Sequence, residues 1–497
     1  MKDKATFSQW LHCALWVSAL ACWLPPGAAG QVIVRQIRQA QPGQIFIQGG
    51  GGIGMNWQFA TPNGKPERMP EPRGDVLEFL DGSALHGTLS KMDLAQGLSW
   101  AASEASQPIN FHPAHLDYIR FAHAQAVSVT PTCHLWFGNG DDLYGSLTSM
   151  DDKQLGFSTW FGGAMVIPRS AVHAITFLSA NYSIVYEGPY DLGGWLVVNN
   201  GSWTFRDGAF LGNSTGTLGR DLNLTHSVTL ECDLACSTFF NLEIGLYCDV
   251  VDRLEPNGGS CVVTVTPSQV SLRQFQNMGL YTQAGVAVPG GGEKDRMHLA
   301  IECDKTEGTV SVFVNHLLVK TWKDCSFAGG GTGVLLMQGG LNPNPGLKVS
   351  HLKISQWADR GEPQAAFIAT NTDAIHFVNH DQTAGKIESI KDGKARLTLA
   401  GTTLDIPLER VTQIEFAQAP APSETPGPWQ VRAHFPGGGS VSFQLEKWDD
   451  KVVAGQSAIF GSLAFQPGAV REVEFNLNRP KEEGVIANSK EFEELDE

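Results

Sequence analysis

The stretch Leu230-Glu231-Cys232-Asp233-Leu234-Ala235-Cys236 sets two carboxylates two residues apart in a segment that alternates apolar and polar side chains. Such alternation reads as a β-strand, where residues i and i+2 share a face, so Glu231 and Asp233 point the same way. Paired carboxylates are the groups that cleave glycosidic bonds, one as the acid and the other as nucleophile or base. A third candidate, Glu243, stands in the neighbouring alternating segment "FNLEIGLYCDV", and "IECD" repeats the carboxylate spacing at Glu302 and Asp304. An exposed strand face rich in carboxylates is also what simple solvation produces, so the pair marks a surface before it marks a reaction.

Aromatic rings stack on sugars, which makes Trp195, Trp203 and Trp322 candidate ligand contacts, with Trp357 a fourth tryptophan of the same region. Four tryptophans in one β-rich segment also suit a core. Calcium is conceivable at Asp249-Val250-Val251-Asp252, whose carboxylates are hard oxygen ligands; no other cofactor and no metal centre is expected, and no Cys-x-x-Cys pair is present. Beyond Cys13 and Cys22 the chain has Cys133 and six further cysteines between 232 and 325. Cys232, Cys236, Cys248 and Cys303 keep phase with Leu230, Leu234, Leu246 and Ile301, which predicts buried thiols packing as small apolar groups. Six cysteines also permit disulfides in fifteen pairings that sequence does not choose among.

The elements that must hold these residues are β throughout. Apolar runs are short and rich in Val, Ile, Thr and Phe, and the 497 residues include 55 Gly and 26 Pro, a pattern of strands joined by tight turns. Over 180–358 the alternating segments are long enough for an antiparallel sandwich. The motifs "GWLVVNNGSWTFRDGAFLG" at 194–212 and "VSVFVNHLLVKTW" at 310–322 resemble the concanavalin A-like jelly rolls, in particular laminin-G-type domains and the 3-keto-disaccharide hydrolase family. In those families Asn-Gly is usual where Asn315-His316 stands here. The resemblance implies a jelly roll that recognises or hydrolyses a glycan. The "LECDLAC" strand is similar to the Glu-x-Asp-x-x-Glu signature of laminarinase-type enzymes, with Cys236 in place of the second Glu. Without that acid/base the retaining mechanism fails, so the match implies binding more than catalysis.

A second organisation flanks this segment. Phe79 and Gly87, Phe137 and Gly145, and Phe377 and Gly385 are each eight residues apart; Phe435 keeps the spacing to Phe443, without the glycine. Each copy closes on an aromatic, in "YIRF", "AITF", "QIEF" and "EVEF". The offset from Phe79 to Phe137 equals that from Phe377 to Phe435, 58 residues, so the duplicated unit reads as a pair. The predicted repeats are 76–122, 133–178, 373–417 and 429–476. A glycine inside a strand marks a bend or a close backbone approach, and the pattern resembles Sm-like and SH3-like small barrels. The fold class is therefore all-β, with a central antiparallel jelly roll between two pairs of small barrels.

The ends carry their own signals. Residues 1–30 hold Lys2 and Lys4, an apolar run from Leu11 to Leu24 and a small-residue "AAG", the layout of a signal peptide, which predicts a secreted, periplasmic or cell-surface protein. Segment 31–75 reads as a partly disordered leader, 417–428 as a Pro-rich linker and 477–497 as an acidic disordered tail. Asn181, Asn200, Asn213 and Asn223 open Asn-x-Ser/Thr triplets that read as turns in a chain of bacterial character. A formal charge of −16 disfavours nucleic acid as a partner, and no segment is long and apolar enough for a membrane span. The function expected is an exported, non-catalytic binding or envelope protein. Its jelly roll would recognise a glycan or a partner protein, with the barrels as assembly modules; the alternatives are a glycoside-acting hydrolase and a purely structural envelope protein.

Overall fold

Short alternating segments separated by Asp, Asn and Gly turns have one way to bury their apolar faces, which is to pair as sheets and close on one another. The structure, a computed structural model, describes residues 74–477 apart from 95–96, 103–104, 123–129, 200, 237–238, 254–260, 277–278, 290–295, 328–329, 340–345, 359–371, 380, 418–426 and 428. The signal peptide, nearly all of the leader, most of the Pro-rich linker and almost all of the acidic tail expected from the sequence lie outside those residues. The described residues fall in one compact unit. Every regular element described is a strand or a single 3-10 turn, so the protein is all-β.

Strands recur in four sets of five, each with a 3-10 turn before the fifth. One set runs Cys133–Phe137, Asp142–Met150, Gln154–Thr159 and Gly163–Pro168, then the turn Arg169–Ala171 and Val172–Phe177. In every set the first strand is held between the second and the fifth. The sets also pair with one another through their fifth strands. Leu116–Arg120 lies antiparallel to Glu472–Glu474, and Val172–Phe177 to Val411–Glu415. The first set thus pairs with the last and the second with the third, and one apolar core runs through all four, including Trp100, Phe157, Leu397 and Phe443.

Gly145 serves this packing by close approach. A Cβ there would sit 2.2 Å from the Ser158 carbonyl oxygen and 2.7 Å from the Phe157 ring. In the last set the two sizes are exchanged: Phe443 fills the glycine position, and Gly455 lies opposite, where a Cβ would meet the Phe443 ring at 2.6 Å.

The segment from Ser183 to Trp357 forms two sheets packed face to face. The first runs in the order Trp203–Arg206, Ala209–Gly212, Leu347–Trp357, Ser227–Ala235, Arg296–Asp304, Thr309–Val314, Leu317–Trp322, with Ser183–Gly188 beside Leu347–Trp357. The second runs Leu196–Val198, Gly216–Asp221, Gly333–Gln338, Leu242–Cys248, Cys261–Val265, Gln269–Gln276, Gly279–Thr282. Leu230, Cys232 and Leu234 from the first sheet meet Leu242, Ile244 and Cys261 from the second in a shared core.

Two expectations are corrected here. Trp195, Trp203 and Trp322 are all buried in that core, at 4%, 1% and 3% exposure, so none presents a ring to a ligand. Cys248 does not share the phase of Leu246. Tyr247 takes φ +57°, the register slips between Leu246 and Cys248, and the thiol turns to the outer face beside Val262, Leu335 and Met337.

Candidate functional site

Strand Ser227–Ala235 sends Val228, Leu230, Cys232 and Leu234 into the sandwich core, so Thr229, Glu231 and Asp233 take the outer face. On one side Asp233 stands opposite His298. On the other the register with Leu347–Trp357 shifts between Glu231 and Asp233, leaving an extra residue where His351 adopts φ +48°. A bulge of this kind re-aims a side chain, and here it brings the His351 imidazole to Asp233.

The result is a chain of alternating charge. Asp233 Oδ1 lies 2.8 Å from His298 Nδ1, and its Oδ2 lies 2.9 Å from His351 Nδ1. The other His351 nitrogen, Nε2, is 3.1 Å from Glu472 Oε1. Arg120 Nε donates to Glu472 Oε2 at 2.7 Å, and Arg120 Nη1 donates to Glu78 Oε2 and to the Asp207 carbonyl, each at 2.7 Å. Lys348 Nζ closes the series on Glu78 Oε1 at 3.2 Å. Asp233, His298, His351, Asp207 and Lys348 belong to the sandwich, whereas Glu78, Arg120 and Glu472 come from the first and last repeats. The network therefore fastens the repeats across the outer face of the sheet.

Its electrostatics follow from burial and pairing. Burial opposes ionisation of Asp233, but the hydrogen bonds from His298 and His351 outweigh it and hold the carboxyl far below its usual range. Burial likewise opposes charge on His351, yet Glu472 and Asp233 push it up to about 9, so at neutral pH it is an imidazolium donating from both nitrogens. Glu472 is drawn well below the carboxylate range by Arg120 and His351 against the effect of burial.

Beside this chain Glu231 is 3.3 Å from Lys353 Nζ, which also donates to Tyr144 Oη of the second repeat at 2.8 Å. Tyr144 stacks on His134, and His134 Nε2 is 2.9 Å from Asp142 Oδ2. Arg471 of the last repeat pairs with Glu187 of the sandwich and donates to Tyr190 Oη at 3.3 Å. These groups wall a cavity of about 420 Å³ between sandwich and repeats, with Trp136, Tyr144, Tyr190, Glu231, Asp233 and His298 among its lining. A smaller one of about 180 Å³ lies against Tyr118, Arg296 and Lys348. Asp233, His298, His351 and Arg120 line both.

His298 has a particular place. Its Nε2 is buried with no hydrogen-bond partner among the described residues, and its ring stacks on His316 at 4.5 Å. Asn315 and His316 take φ +50° and +64° between two paired strands, the two-residue hairpin turn that Asn-Gly ordinarily makes. The departure at His316 keeps the turn and adds a ring beside the cavity.

The candidates from sequence therefore separate. Glu231 and Asp233 share one face and line the larger cavity. Glu243 stands on the second sheet, on the outer side of a strand whose Leu242 and Ile244 enter the core, and it pairs with Arg273. It is on the opposite outer face of the sandwich and cannot complete a pair with Glu231 across one bond. Asp249 and Asp252 are exposed, and no cluster of three or more His, Cys, Asp or Glu suited to a metal occurs among the described residues. His298, His351, Lys353, Arg120 and Glu472 were missed. The outward phase of His298 in "MHLAIECD" and of Lys353 in "LKVSHLKISQW", and the charges inside the closing "YIRF" and "EVEF", were the available signals.

No protein-family model matches the chain, and no curated protein matches it. Solved structures do match about a third of it. A carbohydrate-binding module from Bacillus subtilis is 16% identical, over 33% of this chain and 92% of its own, with a TM-score of 0.21. Domain 4 of AbnA, an extracellular arabinanase from Geobacillus stearothermophilus, was solved with arabinotriose; it is 14% identical over 36% of this chain and 94% of its own, TM-score 0.26. LamAcat from Zobellia galactanivorans is 11% identical over 36% of this chain and 98% of its own, TM-score 0.27.

Proposed function

We propose that the chain is an exported, non-catalytic protein that binds a neutral glycan in the cleft between the first sheet of the sandwich and the repeats. The observation that carries this reading is that each carboxylate of the cleft's sandwich wall already has a cationic neighbour from the protein itself, Lys353 for Glu231, two histidines for Asp233 and Arg471 for Glu187. Glycosidic hydrolysis needs a carboxyl group that holds a proton at working pH, and Asp233 is held in the opposite state. A wall of balanced charges suits hydroxyl groups, which donate to carboxylates and accept from ammonium, guanidinium and imidazole. Trp136 and Tyr190, which keep part of their surface free, supply ring faces and edges. A cavity of this volume is within the usual size of a small-molecule site. The repeats act on this reading as the cover and frame of the site.

The test is a glycan array probed with the purified, labelled chain, alongside hydrolysis assays on laminarin, lichenan and a 3-keto-disaccharide. Binding to neutral glycans with no turnover is the expected result. Turnover that vanishes in Glu231→Gln or Asp233→Asn would replace this reading with the hydrolase.

A further inference from the structure

Cys261 opens strand Cys261–Val265 of the second sheet, and Cys303 lies near the end of strand Arg296–Asp304 of the first. Both are wholly buried in the sandwich core, and their sulfurs meet at 3.9 Å across the gap between the sheets. The two strands hold corresponding places, each fifth in the order of its sheet. A third thiol, Cys325, is nearby but directs its S–H to the backbone carbonyls of Trp322 and Lys323. From this geometry we propose that Cys261 and Cys303 form a disulfide that staples the two sheets of the sandwich.

Rotation about the two side chains has to bring the sulfurs to roughly 2.05 Å, the bonded distance. Two thiols give up two protons and two electrons to a disulfide oxidant, which leaves as two thiols. One cysteine thiolate attacks the oxidant and expels the first thiolate, and the second cysteine then attacks the mixed disulfide and expels the other. In the folded sandwich the hydrogen bond with Cys261, and burial after it, push the Cys303 thiol well above its ordinary range, so the attacking thiolate is scarce there. The bond therefore forms while the sheets come together and is afterwards shielded from reductant. Residues 1–30, read as an export signal, would deliver the chain to a compartment that holds such an oxidant.

The experiment refolds the full chain from denaturant in two buffers, one with oxidised and reduced glutathione and one with dithiothreitol. Free thiols are then counted by maleimide labelling and intact mass in denaturant. The expected result is two fewer labels after oxidative refolding, a non-reduced peptide joining residues 261 and 303, and a Tm higher by about 5–10 °C. Cys325→Ser should behave the same, and Cys303→Ala should abolish the missing labels and the cross-link. Full labelling after oxidative refolding of the wild type, or two missing labels that persist in Cys303→Ala, would overturn the proposal.

Discussion

The two outer faces of the sandwich carry similar groups to different ends. On the first sheet Glu231 and Asp233 meet Lys353, His298 and His351 under a cover of repeats, and the carboxylates that reach across to this sheet, Glu78 to Lys348 and Glu472 to His351, are 8% and 6% exposed. On the second sheet the Glu243–Arg273 pair, 22% and 24% exposed, is made between strands of that one sheet, and beside it Cys248, Val262, Leu335 and Met337 form a small buried apolar cluster. The strand pattern decides which residues turn outward. What the outward charges meet, a strand of their own sheet or a strand of the repeats, decides whether a pair stays local or joins two parts of the molecule.

The sharpest way to break the comparison is at Arg120. Arg120→Ala leaves Glu78 and Glu472 buried with less compensation, and should cost about 3–5 kcal/mol in urea unfolding. A cost under 1 kcal/mol would mean that the network joining sandwich and repeats is energetically no different from the pair within the second sheet.

Next comes the packing that holds the cover in shape. Gly145→Val places atoms against the Ser158 carbonyl and the Phe157 ring, and should destabilise by about 1–3 kcal/mol or more. The last repeat supplies its own control, because Phe443 and Gly455 hold the reverse arrangement. Gly145→Phe combined with Phe157→Gly should recover much of the loss from Gly145→Phe alone, read as a coupling in a double-mutant cycle. Strictly additive costs would refute the exchange.

A smaller effect follows from pH. His351 is raised to about 9 from its ordinary 6.5, so its contribution to stability is complete below about 6.5 and disappears as pH rises through 9. Asp233 and Glu472 are lowered, so theirs is present above the ordinary carboxylate range and disappears as pH falls below it. The wild-type Tm should decline between pH 7 and 10. In His351→Asn, which tolerates the positive φ, that decline should flatten. The smallest effect belongs to the pair within the second sheet: Arg273→Ala should change stability by less than about 1 kcal/mol.

Much of the fold was legible because strand alternation is local. "LECDLAC" states its own faces, and the structure puts Glu231 and Asp233 outward together. Where the phase slips, local reading fails, as at Cys248 beyond the Tyr247 bulge and at His351 within its own. The site was legible only in half. Arg120 and Glu472 are 352 residues apart, and nothing in either closing strand names the other. The tryptophans misled for a related reason, since a ring large enough to bind a sugar is also the largest filling for a core.

The most direct test of the account is calorimetric titration of one neutral glycan from the array into three proteins: wild type, Asp233→Asn and Arg273→Ala. If the covered face is the binding wall, wild type and Arg273→Ala bind with the same Kd and Asp233→Asn weakens binding at least about tenfold, the loss of roughly one charged hydrogen bond. Unchanged affinity in Asp233→Asn, lost affinity in Arg273→Ala, or a wild type that binds no neutral glycan would contradict it.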